Sequence, residues 1–347
     1  MRFSVMIWPH SDVDVAPVVR LAQQADALGY DIYYVGDSQM IWNDAWVALA
    51  MCAAGTERIG LGTGVTNTVT RHPAVTANAA MTLNMVSNGR AVLGVGAGDS
   101  AVRTAGLNPH KLPAMKAAVE FMGALLRGQE VDAPMPDDVA AKPAWGVERR
   151  IRIAGTERWG NVPIHTAVMG PKSAAAVAEV SEGVIVDGHM GGNGEGARRT
   201  CEAVAEGEQR AGKDPGSVRV IAALQTAIDD DRSTALDECR ATAARTIARK
   251  QYLPDTIGVE HADVVAAVTE SYKFYKHLDL TAAHRKLIPD EVAMKTTMGG
   301  TPQDCIDKVR ELEEAGITDI ALEITSQNEE NARVTLDRFA TEVIPNL

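Results

Sequence analysis

Short apolar runs along this chain alternate with longer segments in which apolar residues recur every three or four positions. The runs are typical of parallel strands buried on both faces, and they predict strands near 3–8, 31–36, 58–65, 90–96, 163–169, 183–188, 218–226 and 318–324. The periodic segments predict helices over 13–28, 43–54, 73–87, 111–127, 171–181, 192–212, 232–250 and 301–316. This alternation predicts a (β/α)8 barrel, with a doubly wound open sheet as the alternative.

Two segments interrupt the alternation. Residues 128–162, with Pro134 and Pro143, precede the fifth strand, and residues 251–300 precede the eighth. Segments of this length either rim the active face of a barrel or add packing on its outside, and the sequence leaves both possibilities open. Because no repeat or low-complexity linker divides the chain, we expect residues 1–347 to form a single domain.

Composition narrows the range of functions. A chain of 347 residues fits one barrel of about 250 residues with insertions. The net charge of −12 argues against nucleic acid as a partner, and no run of about 18 apolar residues predicts a membrane span. The N-terminus leads directly into a strand without a signal-peptide pattern. The four cysteines are scattered, which argues against a zinc site or a disulfide framework and is typical of the cytoplasm.

Glycines follow the third and fourth strands where a barrel places its active site. The runs are Gly60-Leu61-Gly62-Thr63-Gly64 and Gly94-Val95-Gly96-Ala97-Gly98. Glycine at such a position lets a ligand press against the main chain, so the two runs predict a flat ligand across the strand ends. The second run is a poor dinucleotide fingerprint because Asp99 stands where the third glycine belongs.

The segment Gly170-Pro171-Lys172-Ser173 predicts an anion site. It follows a strand that ends at Met169 and opens a helix, where free N–H groups and the helix dipole attract a phosphate. Simple helix capping is the alternative. We expect capping, rather than catalysis, from His72 at the start of the third helix.

The remaining strand ends supply candidates for catalysis and for the substrate pocket. His10, Asp37 and Asp99 are candidates for proton transfer, although a histidine at a strand end is as often a structural hydrogen-bonding group. Because the strand ends lack a dense histidine cluster, we expect no metal. An apolar mouth for a small-molecule substrate is predicted from Trp8, Met40, Trp42 and His189, with ordinary packing as the alternative.

Four groups of segments resemble the bacterial-luciferase-like flavin and deazaflavin oxidoreductases. The resemblance is strongest to the branch of methylene-tetrahydromethanopterin reductase and its coenzyme-F420-dependent relatives. The segments are Leu21–Gly29 with Tyr34–Asp37, Gly60–Asn67 with Arg71–Ala74, Ser87–Arg90 with Leu93–Asp99, and Met169–Lys172.

The resemblance implies a barrel that dimerises through its early helices and has a cis peptide between Gly64 and Val65, behind the central ring of the cofactor. It implies that Asp37 contacts the ring or the substrate. The implied cofactor contacts are Gly64, Val65, Thr66, Asn67, Gly98, Met169, Gly170, Pro171 and Lys172, the last three of them at the phosphate.

Two departures from the family pattern limit what the resemblance implies. Ser38 stands where many deazaflavin enzymes have a histidine, and Met6 stands where the pterin reductases have a proton-donating carboxylate. Methylene-pterin reduction is therefore not carried over, and the proton donor stays open among His10, Asp37 and Asp99.

The sequence thus predicts a cytoplasmic homodimer, or a dimer of dimers, that transfers a hydride between coenzyme F420 and a small or medium organic substrate. One alternative is an FMN-dependent monooxygenase that uses reduced flavin and oxygen. A second alternative is a binding barrel without catalysis.

Overall fold

The computed structural model of the chain describes residues 1–132, 150–248, 257–273, 276 and 278–347. Its strands are β1 (Arg2–Trp8), β2 (Ile32–Val35), β3 (Gly60–Thr63), β4 (Thr66–Asn67), β5 (Ala91–Gly96), β6 (Val131–Asp132), β7 (Arg150–Ile151), β8 (Ile164–Ala167), β9 (Gly183–Val186), β10 (Arg219–Ile228), β11 (Met298–Gly300) and β12 (Asp319–Thr325).

The helices of the described segments differ widely in length. They are α1 (Ala16–Leu28), α2 (Ala45–Gly55), α3 (Pro73–Val86), α4 (Ser100–Thr104), α5 (Leu112–Leu126), α6 (Thr156–Trp159), α7 (Pro171–Ala178), α8 (Gly188–Gly191), α9 (Gly194–Ala211), α10 (Arg232–Ala248), α11 (Ala262–Ser271), α12 (Asp290–Thr296), α13 (Pro302–Glu314) and α14 (Glu329–Arg338). In the described ranges, no helix has both the length and the apolar character needed to cross a bilayer.

Eight parallel strands of the described chain close into a barrel in the order β1, β2, β3, β5, β8, β9, β10 and β12. The ring closes where β12 pairs with β1, residue for residue from Asp319 beside Arg2 to Thr325 beside Trp8. The short strands β4 and β11 extend this sheet at β5 and at the end of β10. The barrel prediction is confirmed, and the open sheet is excluded.

The predicted helix 232–250 is not part of the outer ring. Its described part, α10, lies over the carboxyl ends of the strands, where Thr242 donates a hydrogen bond to Gln225 and Arg245 donates one to Glu323. The ring helix between β10 and β12 is α13, so the inserted segment begins directly after β10. Most of α10 is buried, because the helix contacts β10 and β11 on one side and α12 on another.

A second correction concerns the end of the chain. Helix α14 follows β12 and completes the outer ring, although the hydrophobic pattern did not reveal it. Its buried residues are Ala332, Thr335 and Leu336, which form too weak an apolar stripe to stand out among acidic and basic neighbours. The capping signal was present nonetheless, because Asn328 accepts a hydrogen bond from the amide of Asn331.

The first insertion packs at the end of the barrel opposite the strand tips. Its described part contains the antiparallel pair β6–β7 and the short helix α6. The side-chain amide of Asn84, near the end of α3, donates a hydrogen bond to the backbone carbonyl of Trp159 at 2.7 Å. Of the two possibilities for residues 128–162, added packing is therefore the correct one for the described part, while residues 133–149 lie outside the described residues.

Side chains alternate between the two faces of each barrel strand and so divide the core in two. On β1, Val5 and Ile7 face the helices, while Met6 and Trp8 face the barrel interior. Ile185, Ala223 and Ala321 also face the interior. The residue two positions after each of them faces the same way. These next residues are Asp187, Gln225 and Glu323, so a polar layer lies at the carboxyl end of an apolar barrel interior.

Candidate active site

A cavity of about 480 Å³ opens at the carboxyl ends of the barrel strands. Such a position and volume are those of a small-molecule site. Its lining includes Met6, Trp8, Asp37, Trp42, Gly64, Val65, Thr66, Asn67, Gly98, Asp99, His110, Met169, Ser173, Asp187, Arg245 and Glu323.

The end of β3 forms one wall of this cavity. The peptide bond between Gly64 and Val65 is cis, as the family resemblance implied. A Cβ atom on Gly64 would lie 2.6 Å from the Cβ of Tyr34 and 3.1 Å from the Cγ of Met6. Because these neighbours belong to the packed barrel interior, only glycine fits here without displacing them.

Asp37 is buried at the end of β2 and is held through both of its carboxylate oxygens. Thr66 donates a hydrogen bond to Oδ2 at 2.6 Å, and Gln39 donates one to Oδ1 at 2.7 Å. Burial raises the pKa of the Asp37 carboxyl, while these two donors lower it in part. The strands β2 and β4 thus place a carboxyl of fixed orientation beside the Gly64–Val65 wall.

Asn67 shapes the loop that follows β4. Its Oδ1 accepts hydrogen bonds from the backbone amides of Val69 and Thr70, at 2.9 and 2.8 Å. Within the described ranges, its buried Nδ2 donates to no protein group. Gly98, with φ of +92°, packs so close that a Cβ there would lie 2.2 Å from Val102. The wall is therefore tightly packed at Gly98, and it presents one side-chain amide donor, Asn67 Nδ2, without a described protein acceptor.

The first turn of α7 lies at another side of the cavity. Met169 and Ser173 line it, and Gly170 is the residue that precedes the helix. Pro171 occupies the first helical turn, and the Lys172 side chain is exposed to solvent. A helix N-terminus with a hydroxyl and a lysine in its first turn is suited to an anionic group.

Trp8 at the end of β1 and Trp42 in the loop between β2 and α2 form an apolar part of the lining. The rings of Trp8 and Trp42 stack with centroids 4.9 Å apart and planes 28° apart. Gly36 makes this possible, because a Cβ there would lie 2.7 Å from the Trp42 ring and 2.9 Å from the Trp8 ring. Gly36, directly after β2, therefore allows Trp8 and Trp42 to stack. The sequence assigned both tryptophans to the substrate pocket.

A charged group lines the cavity beside Trp8. Arg245 Nη2 lies 3.3 Å from Glu323 Oε2 and 3.9 Å from Asp187 Oδ2, and the guanidinium lies 5.8 Å from the Trp8 ring centroid. The Arg245 and Glu323 side chains are only 5% and 2% exposed. Arg245 was missed by the sequence reasoning. The signal that could have revealed it is an arginine among the small residues of α10, which are themselves buried.

The other predicted site residues are dispersed. His10 is buried beside Trp42 but does not line the cavity, and burial lowers the pKa of its imidazole. Asp99 lines the cavity and pairs with Arg103 at 3.1 Å. Met40 is 80% exposed and lies outside the lining. The backbone of His189 belongs to α8, and its side chain lies outside the described residues.

Two further histidines show what the sequence could and could not reveal. His72 accepts a hydrogen bond from the amide of Ala74 and so caps α3, which confirms the structural interpretation. His110 lines the cavity and shares a hydrogen bond of 2.9 Å with Thr68, a role that no strand-end pattern indicated. In the part of the chain that the structure describes, no group of three His, Cys, Asp or Glu side chains is arranged to hold a metal.

Comparison with known proteins identifies the family. The profile of the family described as luciferase-like monooxygenase matches residues 1–319. The chain belongs to the luciferase-like monooxygenase family. It is 30% identical over 325 residues to the 5,10-methylenetetrahydromethanopterin reductase of Methanolobus tindarius, a match that covers 92% of this chain and 93% of that protein.

Two solved structures share the fold of this luciferase-like protein over its whole length. The coenzyme F420-dependent tetrahydromethanopterin reductase of Methanopyrus kandleri superposes with a TM-score of 0.79 at 21% identity, covering 100% of this chain and 99% of that one. An F420-dependent secondary alcohol dehydrogenase, solved with an F420-acetone adduct, superposes with a TM-score of 0.74 at 20% identity, covering 99% of both chains. The relatives of this luciferase-like protein therefore include F420-dependent oxidoreductases of more than one substrate class.

The cavity of this luciferase-like protein has the features that a tricyclic cofactor with a phosphate requires. Gly64 and Gly98 line the cavity without side chains. The buried Nδ2 of Asn67, which donates to no described protein group, is available to a polar ring edge. The first turn of α7 is suited to the phosphate. The residues present thus fit a flavin or a deazaflavin.

Proposed function

We propose that this protein is an oxidoreductase that transfers a hydride between coenzyme F420 and a small or medium organic substrate. The observation that carries the proposal is the cavity wall at Gly64, where added side-chain atoms would collide with Tyr34 and Met6. The similarity to F420-dependent reductases and dehydrogenases supports the choice of a deazaflavin.

In this proposal Gly64, Val65, Thr66 and Asn67 hold the tricyclic ring, with Gly98 on the same side. Met169, Gly170, Pro171, Lys172 and Ser173 receive the phosphate. The bound cofactor supplies or accepts the hydride, and the protein supplies orientation, exclusion of water and a proton. Asp37, fixed by Thr66 and Gln39, orients polar atoms of the ring or the substrate.

The substrate occupies the part of the cavity between the Trp8–Trp42 pair and the ring position. The stacked indoles provide an apolar surface that favours an organic substrate over a sugar phosphate. Carboxylates also outnumber the described cations of the lining, where Asp37, Asp99, Asp187 and Glu323 accompany Arg245. An anionic substrate would therefore meet unfavourable electrostatics in this region.

Titration of the purified protein with F420 and, separately, with FMN tests the proposal. We expect saturable binding of F420, followed by the change in its fluorescence, and only weak binding of FMN. The family description makes an FMN-dependent monooxygenase the second candidate. Tight FMN binding without F420 binding, together with oxygen consumption, would establish that alternative. No spectral change with either cofactor would leave a non-catalytic binding barrel.

We further propose that two copies associate through α2 and α3. Neither helix contains a charged residue. Val47 and Met51 on α2 are 61% and 42% exposed, and Val75 and Val86 on α3 are 54% and 57% exposed. Exposed apolar residues on two helices that contact each other and contain no charge favour a protein partner, and a second copy supplies the matching surface.

Replacing Met51 with glutamate tests this dimer. The buried charge is expected to shift the protein from dimer to monomer in analytical ultracentrifugation at micromolar concentration. Val259→Glu serves as the matched control, because Val259 is 78% exposed and lies far from α2 in the chain. A parent protein that sediments as a monomer at all concentrations would contradict the proposal.

We also propose a cytoplasmic location. The support is that Cys52, Cys201, Cys239 and Cys305 are all free thiols, which is typical of proteins from reducing compartments.

A further inference from the structure

Arg245 leaves one donor of its guanidinium group unused. Its Nη2 donates a hydrogen bond to Oε2 of Glu323 at 3.3 Å, but its buried Nε has no hydrogen-bond partner within the described ranges. Arg20 shows the alternative, because its Nε and Nη2 both donate to Glu329, at 2.6 and 2.7 Å. An arginine presents these two nitrogens along one edge, so Glu323 takes only half of the edge that Arg245 offers.

A second unused donor lies beside this guanidinium. The indole Nε1 of Trp8 is buried, and no acceptor among the described residues reaches it. The guanidinium carbon of Arg245 lies 5.8 Å from the centroid of the Trp8 ring, and both side chains line the cavity. Trp8 comes from β1 and Arg245 from α10. Two elements that are distant in the sequence therefore bring two unused donors to the same part of the cavity.

The protein around these donors does not supply the missing acceptor. Gln225, on the neighbouring strand β10, uses its Oε1 to accept a hydrogen bond from Thr242 at 3.2 Å. A buried donor that meets neither water nor an acceptor loses hydrogen-bonding free energy, so most such donors in proteins are satisfied. A ligand in the cavity is the remaining source of an acceptor for Arg245 and Trp8.

The charge around Arg245 indicates the class of ligand. Its Nη2 lies 3.3 Å from Glu323 and 3.9 Å from Asp187, so two carboxyl groups of the protein already face the guanidinium. Among the residues that the structure describes, no other arginine and no lysine lines the cavity. A negatively charged ligand would have to share this one cation with both carboxyl groups. An uncharged oxygen accepts a hydrogen bond without adding charge to the group.

We propose that Arg245 and Trp8 form a subsite that binds an uncharged oxygen of the substrate, with Arg245 Nε and Trp8 Nε1 as the donors. This inference rests on the proposed function for the identity of the ligand as the substrate, and it adds the chemical class. The substrate is an uncharged organic compound with a carbonyl oxygen, and the apolar surface of Trp42, stacked on Trp8, contacts its carbon atoms. Arg245 is then a residue that determines specificity.

Two probes that differ in one group test the subsite. We expect fluorine NMR of the protein with saturating oxidised F420 to show that 4-fluoroacetophenone binds at least about tenfold more tightly than 4-fluoro-α-methylstyrene, which has a methylene group in place of the oxygen. In Arg245→Met the two Kd values should lie within about threefold of each other. Equal binding of both probes to the parent, no binding of the ketone, or a tenfold preference that survives in Arg245→Met would overturn the proposal.

Two further variants separate recognition from folding. The double variant Arg245→Met with Glu323→Gln removes the charge of both partners, so it tests the preference even if Arg245→Met alone does not fold. Trp8→Phe keeps an aromatic ring but lacks the indole N–H, and we expect it to lose part of the preference. An unchanged preference for the ketone in either of these variants would overturn the proposal.

Arg240→Met is the matched control on the same helix. The Arg240 side chain is 13% exposed and pairs with Asp237 and Asp290, away from the cavity lining. We expect this variant to keep the preference of the parent for the ketone, and its loss there would overturn the assignment to Arg245. The titrations are repeated without cofactor. A parent that prefers the ketone but binds no F420 would contradict the proposed function and support the subsite.

Discussion

The two ends of the barrel both pair arginine with carboxylates, but to different effect. At the amino-terminal end, the Arg219 guanidinium contacts the carboxylates of Asp31 and Asp319, and Arg2 adds a second contact to Asp319 at 3.1 Å. Deeper inside, the hydroxyl of Tyr34 and Nδ1 of His165 share a hydrogen bond of 2.7 Å. Cations and acids pair in this cluster, and the barrel is closed there.

At the carboxyl end, Arg245 contacts two carboxylates across an open cavity. Its two distances, 3.3 and 3.9 Å, leave the acids in different environments, and their side chains line the cavity. An arginine–carboxylate cluster behind closed packing stabilises the fold, whereas one that lines a cavity presents charged groups that a ligand can reach. The comparison teaches that the surroundings of an arginine, rather than its presence, separate structure from function.

The largest effect is expected from disrupting the Arg219 cluster at the amino-terminal end of the barrel. Arg219→Met leaves Asp319, whose side chain is 1% exposed, as a buried carboxylate without its main partner, and should lower the free energy of unfolding by about 3–5 kcal/mol. Denaturant unfolding measures this loss. F420 affinity of the folded variant should stay within twofold of the parent. As a control, Arg20→Met removes an exposed pair with Glu329 and should cost less than about 1 kcal/mol. Equal losses in both variants would contradict the comparison.

Gly64→Val should act at the open end instead. Its Cβ would lie 2.6 Å from Tyr34 and displace the cavity wall, so we expect F420 affinity to fall more than about 100-fold in a fluorescence titration. Gly96→Ala is the matched control, because its Cβ would approach the Val65 methyl at only 3.3 Å, and its affinity should change less than about tenfold. Unchanged affinity in Gly64→Val would mean that the ring lies elsewhere.

A pH-dependent effect also belongs to the amino-terminal end of the barrel. Burial lowers the pKa of His165 to about 3, from an ordinary value of 6.5. Between these values the unfolded chain binds a proton that the native chain does not, so stability falls as the pH falls through this window, by at most about 1.4 kcal/mol per pH unit. Denaturant unfolding at several pH values should show a flatter profile in His165→Phe. Tyr34→Phe removes the hydrogen bond but should keep the slope of the parent, and an unchanged slope in His165→Phe would refute the assignment.

The sequence predicted the barrel because each strand and most ring helices have strong, regular apolar patterns. It predicted the glycines of the Gly64 wall because their position at strand ends has a local physical reason. Helix α10 was misplaced because its small residues are buried on several sides, so that no single apolar stripe marks its orientation. Arg245 was also missed, because Glu323, which it contacts, lies 78 positions away in the sequence. Met40 shows the converse: a position near a strand end predicted the mouth, but the turn exposes its side chain.

Hydrogen–deuterium exchange with and without F420 tests the central claim that the carboxyl end holds the cofactor. We predict added protection of backbone amides in residues 64–70, 96–101 and 168–174, and none in residues 217–221 at the closed end. Protection confined to other segments, or none at F420 concentrations that saturate a fluorescence signal, would contradict the account.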